Sequence, residues 1–185
     1  TKSLRYELGY LCSELSKSLQ GFKHSYAHRE IEWDVAKSLW VESHIDTFDT
    51  KKLKILKKFI KNFKESLHLY NKLEKSIIHN DINDNNIIVT NDFLNPTVKS
   101  VIDFGDSVFS QTINDLAITC SYGIMNLNDP LSGCLDILKG YNKNRKVKDN
   151  ELKLLYNLIA MRLVISVTKS SINRYKEPDN KYLLI

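Results

Sequence analysis

The chain has 185 residues, 42% of them hydrophobic and 26% charged, with a formal net charge of +5. That balance suits one well-buried globular domain, and the three cysteines, Cys12, Cys120 and Cys134, with no C-x-x-C pair, argue against a disulfide framework or a zinc site. No apolar run of membrane-spanning length and no charged-then-apolar leader occurs, so a cytoplasmic protein with no membrane partner is expected.

Along the chain, Leu4, Leu8, Leu11, Leu15 and Leu19 recur at helical spacing, and Gly21 stands where a C-cap belongs. From Phe22 to Phe48 the pattern is irregular and predicts short helices or loops. Asp49 or Thr50 then caps a second helix, whose apolar stripe is Leu53, Leu56, Phe59, Ile60, Phe63, Leu67 and Tyr70. Seven lysines fall between Lys51 and Lys64. With so little aromatic interleaving they read as the solvated face of that helix, and no nucleic-acid partner is expected. Ser76-Ile77-Ile78, Ile87-Ile88-Val89 and Val98 to Ile102 are short β-prone runs separated by turn chemistry at Asn91-Asp92 and Asn95-Pro96. After Ser110 the chain returns to helix, at about Ile113 to Met125, Leu131 to Tyr141 and Asn150 to Tyr175, until Pro178 stops it. The predicted fold is α+β but mostly α, with a small β-hairpin platform near the middle.

The chemistry lies in the polar loop between the first two β-prone runs. His79 to Asn91 carries Asp81 and Asp84 and four asparagines beyond Asn80, bracketed by Ile77-Ile78 and Ile87-Ile88-Val89. Loops held between rigid strands are where reactive groups are placed. Asp103 ends the next apolar run, and Gly105 allows an unusual dihedral just after it. Phosphoryl transfer from a nucleotide requires a carboxylate to orient the attacking hydroxyl and accept its proton, and hard oxygen ligands for Mg2+. Asp81 is the candidate base, and Asn86 and Asp103 are the candidate metal and nucleotide-side ligands. The spacing resembles the H-R-D-x-x-x-x-N and D-F-G pattern of protein kinases.

Around this set, His79 reads as a structural residue that fixes the loop. Asp84 is a turn residue or a group that supports the residues touching substrate or metal, Asp106 a group that touches substrate or metal or caps the following segment, and Asp115 a buried anchor for the loop backbone. An EF-hand register also runs through Asp81, Asn83, Asn85, Ile88 and Asp92. It fails at Asn86, where glycine is needed, and at Asp92, where a bidentate Glu is needed.

These motifs resemble the aminoglycoside phosphotransferase and choline kinase superfamily, whose loop reads H-G-D-x-x-x-x-N. Leu8-Gly9-Tyr10-Leu11 through Leu15-Ser16 is similar to the helix that follows the hinge in that family. Ile102 to Ser107 with Asn114 to Ile118, Ala27 to Glu30 with Trp33-Asp34, and Arg162 through Leu183 resemble the branch that contains hydroxylysine kinase. The resemblance implies the C-terminal lobe of a protein-kinase-like fold over residues 1–185, ATP or GTP as donor, Mg2+, and a small hydroxylated, amine-bearing substrate. Asn80 departs from the family's glycine. The six glycines form no phosphate loop, so the N-lobe is expected in the parent protein, outside this chain. The rival expectation is a catalytically inactive remnant or binding module of the same fold.

Overall fold

The computed structural model describes residues 1–92 and 94–180. The part of the C-terminal resemblance at Lys181-Tyr182-Leu183 lies outside the described residues.

The first helix, α1 (Lys2–Ser18), opens with the Thr1 hydroxyl accepting from Leu4 N–H. Its buried face is not the leucine stripe. Gly9, Cys12, Ser13 and Ser16 are buried, while Leu4, Leu8, Leu11 and Leu15 are half-buried. The cause is the helix α4 (Pro130–Tyr141) lying across α1. A Cβ on Gly9 would sit 1.9 Å from the Ile137 carbonyl oxygen, and one on Gly140 would sit 1.9 Å from that of Tyr6. Only hydrogen at both positions lets the two backbones meet.

After two stretches of 3-10 turn, Ser25–Ala27 and Val35–Thr47, the helix α2 (Thr50–Tyr70) begins. Asp49 caps it, as expected, accepting from Lys51 and Lys52 N–H. Leu56, Ile60, Phe63 and Tyr70 are buried, whereas Lys57, Lys61 and Lys64 face outward and pair with Asp46, Glu65 and Glu42.

The strands are β1 (Lys75–Ile78), β2 (Ile87–Val89), β3 (Val98–Val101) and β4 (Val108–Gln111). They form two separate antiparallel ribbons instead of one hairpin platform. β2 pairs with β3, setting Ile87 opposite Val101, and β1 pairs with β4, setting Ile78 opposite Val108. β4 is a strand where the sequence predicted none. Its partner is far upstream, and a ladder closed at such separation leaves little trace in local pattern.

The helices α3 (Ile113–Gly123) and α5 (Asp149–Lys176) complete the core. α5 packs on α2, α3 and the 3-10 stretch, burying Leu154, Leu155, Leu158, Met161, Val164 and Ile165. Among the described residues no helix is long and apolar enough to cross a membrane. The result is a mostly helical body with the two ribbons set so that the loops β1–β2 and β3–β4 emerge beside each other.

Candidate active site

The loop from His79 to Asn86 is held from beneath by Asp115, in the first turn of α3. Its two carboxylate oxygens accept the backbone N–H groups of His79, at 3.0 Å, and Asn80, at 2.8 Å. Asp115 is fully buried, and burial pushes its carboxyl above the ordinary range while the two N–H bonds oppose that shift. His79 is buried too. Its Nδ1 accepts from Asp81 N–H at 3.2 Å, so Nε2 carries the proton and donates to the Ile102 carbonyl at 3.0 Å. One imidazole therefore links the loop to the end of β3, just before Asp103.

The unusual backbone falls elsewhere than at Gly105. Asn80 has φ 68° and Asp103 has φ 63°, both left-handed, and Gly105 does not. Asparagine is among the residues that tolerate this region, which explains how it stands in for the family's glycine. Gly105 serves by lacking a side chain: its N–H donates to Asp103 Oδ1 at 3.0 Å, and a Cβ would lie 2.9 Å from that oxygen.

Asn86, buried at the start of β2, turns its amide onto Asp81. Its Nδ2 donates to the Asp81 carbonyl at 2.9 Å and to Asp81 Oδ2 at 2.8 Å. Both amide hydrogens are thus engaged, and the amide oxygen is left as an acceptor for something else. The Asn86 carbonyl receives Ile102 N–H at 2.9 Å, which brings Asp103 alongside. Asp106 is half-buried. Burial first, and then the charges of Asp81 and Asp103, raise its carboxyl above the usual range, with Arg162 and Arg29 acting in the opposite direction.

This carboxylate-rich corner fits Mg2+. Among the described residues no group of three or more His, Cys, Asp or Glu side chains is poised to hold a metal. Mg2+ does not need one, because it binds through one or two protein oxygens and completes its shell with water and phosphate. The Asn86 amide oxygen and an Asp103 carboxylate oxygen are of that kind. The calcium-loop register lacks its helices: strands flank the loop, and Asn83 Nδ2 donates to Asp81 Oδ1 at 3.0 Å.

Asp84 is not gathered with the others. It is exposed and lines a mainly apolar cavity of about 350 Å3 with Leu4, Leu8, Ile82, Val98 and Tyr122, which none of Asp81, Asn86 and Asp103 borders.

Two arginines, which in sequence only carried part of the family resemblance, stand at the site. Arg29 clasps the Asp103–Asp106 turn by donating to the carbonyls of Gly105 and Ser107. Arg162, on α5, pairs with Asp81 at 2.7 Å and is 1% exposed. The signal for Arg162 was present: it is a single cation inside Leu158-Ile159-Ala160-Met161-Arg162-Leu163-Val164. Arginine is almost never buried without a partner, so such a run announces a buried acceptor.

The phosphotransferase enzyme family, APH, matches residues 13–133, well over half of the chain. The chain belongs to that family. Hydroxylysine kinase of Mus musculus is 27% identical to it over 194 residues, covering 97% of this chain and 51% of the relative. Hydroxylysine kinase of Bos taurus is 26% identical, covering 98% and 52%. These relatives set the chain in the hydroxylysine-kinase-like branch. The chain spans about half the length of the curated relatives it matches. Among solved structures, an amicoumacin kinase in complex with AMP-PNP and Ca2+ superposes with a TM-score of 0.65 at 15% identity, covering 92% of this chain and 52% of that one. A spectinomycin phosphotransferase in complex with ADP and spectinomycin gives 0.55 at 17% identity, covering 97% and 57%. At such identities the likeness establishes the fold of this family's phosphotransferases.

Proposed function

We propose that residues 1–185 are the C-lobe of a small-molecule kinase, an ATP- or GTP- and Mg2+-dependent phosphotransferase. Its acceptor is the hydroxyl of a small, amine-bearing metabolite. The observation that carries this reading is the double hydrogen bond from the Asn86 amide to Asp81, which engages both amide hydrogens and leaves the Asn86 oxygen free as an acceptor. The nucleotides held by the two solved relatives support the choice of donor.

In this reading Asp81 orients the acceptor hydroxyl and takes its proton. The acceptor oxygen bonds to the transferred phosphorus, and the bond to the leaving nucleoside diphosphate breaks with its electron pair. Asn86 and Asp103 are the residues that would hold Mg2+, which when bound supplies positive charge against the phosphates. His79 and Asp115 hold the loop in register. Asp106 adds negative charge beside Asp81, and Asp84 adds it at the neighbouring cavity, which suits a cationic amine. Hydroxylysine, named for the curated relatives, is the first acceptor to try. The parent protein is expected to supply the N-lobe with its phosphate clamp. Nucleic acid and membrane have no part in this reading, and its setting is the cytoplasm.

The test is nucleotide turnover by the full-length protein with Mg2+, ATP against GTP, and hydroxylysine, choline, homoserine and an aminoglycoside as acceptors. Asp81→Asn should lower transfer by about 10²–10⁴-fold. A rate near that of the parent overturns the assignment. Absence of turnover above the Asp81→Asn background with every acceptor favours the inactive remnant or binding module.

A further inference from the structure

The two oxygens of the Asp81 carboxylate keep different company. Oδ1 accepts from Arg162 Nη2 at 2.7 Å and from Asn83 Nδ2 at 3.0 Å. Oδ2 accepts from Asn86 Nδ2 at 2.8 Å. A carboxylate oxygen has about two lone-pair sites, so Oδ1 is saturated and Oδ2 keeps one site open. Asp81 is part-exposed, with 23% of its side-chain surface accessible.

We propose that Arg162 is a positioning residue: by committing Oδ1, it presents Oδ2, the oxygen on the Asn86 side, to the acceptor hydroxyl. The proposal rests on the reading of Asp81 as the proton acceptor. Arg162 is 81 residues from Asp81 in sequence and lies beyond residues 13–133, the span matched by the family.

The guanidinium is fixed before it meets Asp81. Nε donates to the Tyr122 hydroxyl at 3.2 Å, and Nη1 donates to the carbonyls of Trp33, at 2.9 Å, and Asn80, at 3.3 Å. The Trp33 ring lies 4.8 Å and the Tyr122 ring 5.4 Å from the guanidinium carbon. Three neutral acceptors and two aromatic rings set its plane, and the remaining nitrogen is aimed at one carboxylate oxygen. A lysine ammonium is a point charge on a flexible stem and cannot reproduce that fork. The Trp33 bond also ties the irregular 22–48 segment to the cation that holds the base.

The experiment uses the full-length protein with ATP and Mg2+, measuring turnover with water and with each of hydroxylysine, choline, homoserine and an aminoglycoside. Arg162→Lys should lower kcat on the order of 100-fold, the cost of misplacing a catalytic group by an ångström. KM for ATP should stay within about threefold, because the nucleotide side is untouched. A kcat within about threefold of the parent overturns the proposal, and so does a fall in kcat matched by an equal loss of ATP affinity, the mark of a merely structural role. Asp81→Asn is run in parallel. Activity lost there but kept in Arg162→Lys sinks this inference alone, whereas activity kept in Asp81→Asn sinks the base assignment and this inference with it. Where Arg162→Lys does not fold, Asn83→Ser carries the test: its short side chain withdraws the donor from Oδ1, keeps an oxygen for the Asn85 N–H that Asn83 caps, and leaves the buried arginine in place. It should lower kcat about tenfold, and an unchanged kcat overturns the proposal.

Discussion

Asp115 accepts the backbone N–H groups of both His79 and Asn80, at 3.0 and 2.8 Å, from the first turn of a different element. A fully buried carboxylate with two peptide donors is a fixed post for the loop, because every alternative leaves a buried N–H or a buried charge without a partner. Asp115→Asn keeps one acceptor oxygen and turns an amide N–H2 toward the second peptide donor. It should lower unfolding free energy by about 1–3 kcal/mol in a denaturant titration. Nucleotide turnover by the full-length protein should fall more steeply than the folded fraction, since the loop carrying Asp81 loses one of its two anchoring bonds.

Asn80 offers a cleaner test of backbone strain. Its φ is 68°, and its fully buried side-chain amide has no partner among the described residues. Alanine in that conformation bears about 1–2 kcal/mol of Cβ strain that glycine does not. Asn80→Gly should therefore be more stable than Asn80→Ala by that amount, measured as a difference in denaturant midpoint at constant slope. Equal midpoints would count against the left-handed assignment.

A pH dependence should come from Asp34. It is buried, with Oδ1 receiving Ala36 N–H and the Ser110 hydroxyl, and burial raises its carboxyl above the ordinary range. A raised folded pKa means that the contribution to stability is full below the unfolded value and is lost as pH rises through the folded one. Asp34→Asn keeps the Oδ1 acceptor and cannot ionise. Its stability relative to the parent should climb as pH rises above about 4, the ordinary carboxylate value. A flat difference in unfolding free energy over that range would exclude Asp34 as the source.

Gly105 guards the orientation of Asp103. A Cβ there would lie 2.9 Å from Asp103 Oδ1, and the carboxylate must move. Gly105→Ala should weaken Mg-nucleotide binding by full-length protein about tenfold, or about 1.4 kcal/mol, read by titration calorimetry. Its thermal midpoint should change little, because the turn is exposed.

The candidate site was legible in sequence to the extent that its parts are local. Asp81 and Asn86 are five residues apart in one loop, joined through the Asn86 amide, and the short β-prone runs on either side are what hold such a loop. The cap at Asp49 and the buried stripe from Leu56 to Tyr70 were equally readable, since helix periodicity and capping depend on neighbours within a turn or two. The family resemblance rested on the same local motifs.

Tertiary structure decided whatever depends on partners far away in the chain. The leucines of α1 promised a core face, yet the close crossing of α4 gave that role to Gly9, Cys12, Ser13 and Ser16. β4 became a strand only because β1 was there to pair with it. The left-handed backbone sits on Asn80 and Asp103 instead of Gly105, because the bonds to Asp115, Ile102 and Gly105 impose it on the two side chains able to accept it. Most of all, the company of Asp81 could not be read from its own loop. The residue types came from the sequence, but which oxygen is committed and which is open depends on Arg162, whose guanidinium reaches the loop only once α5 has packed into the core.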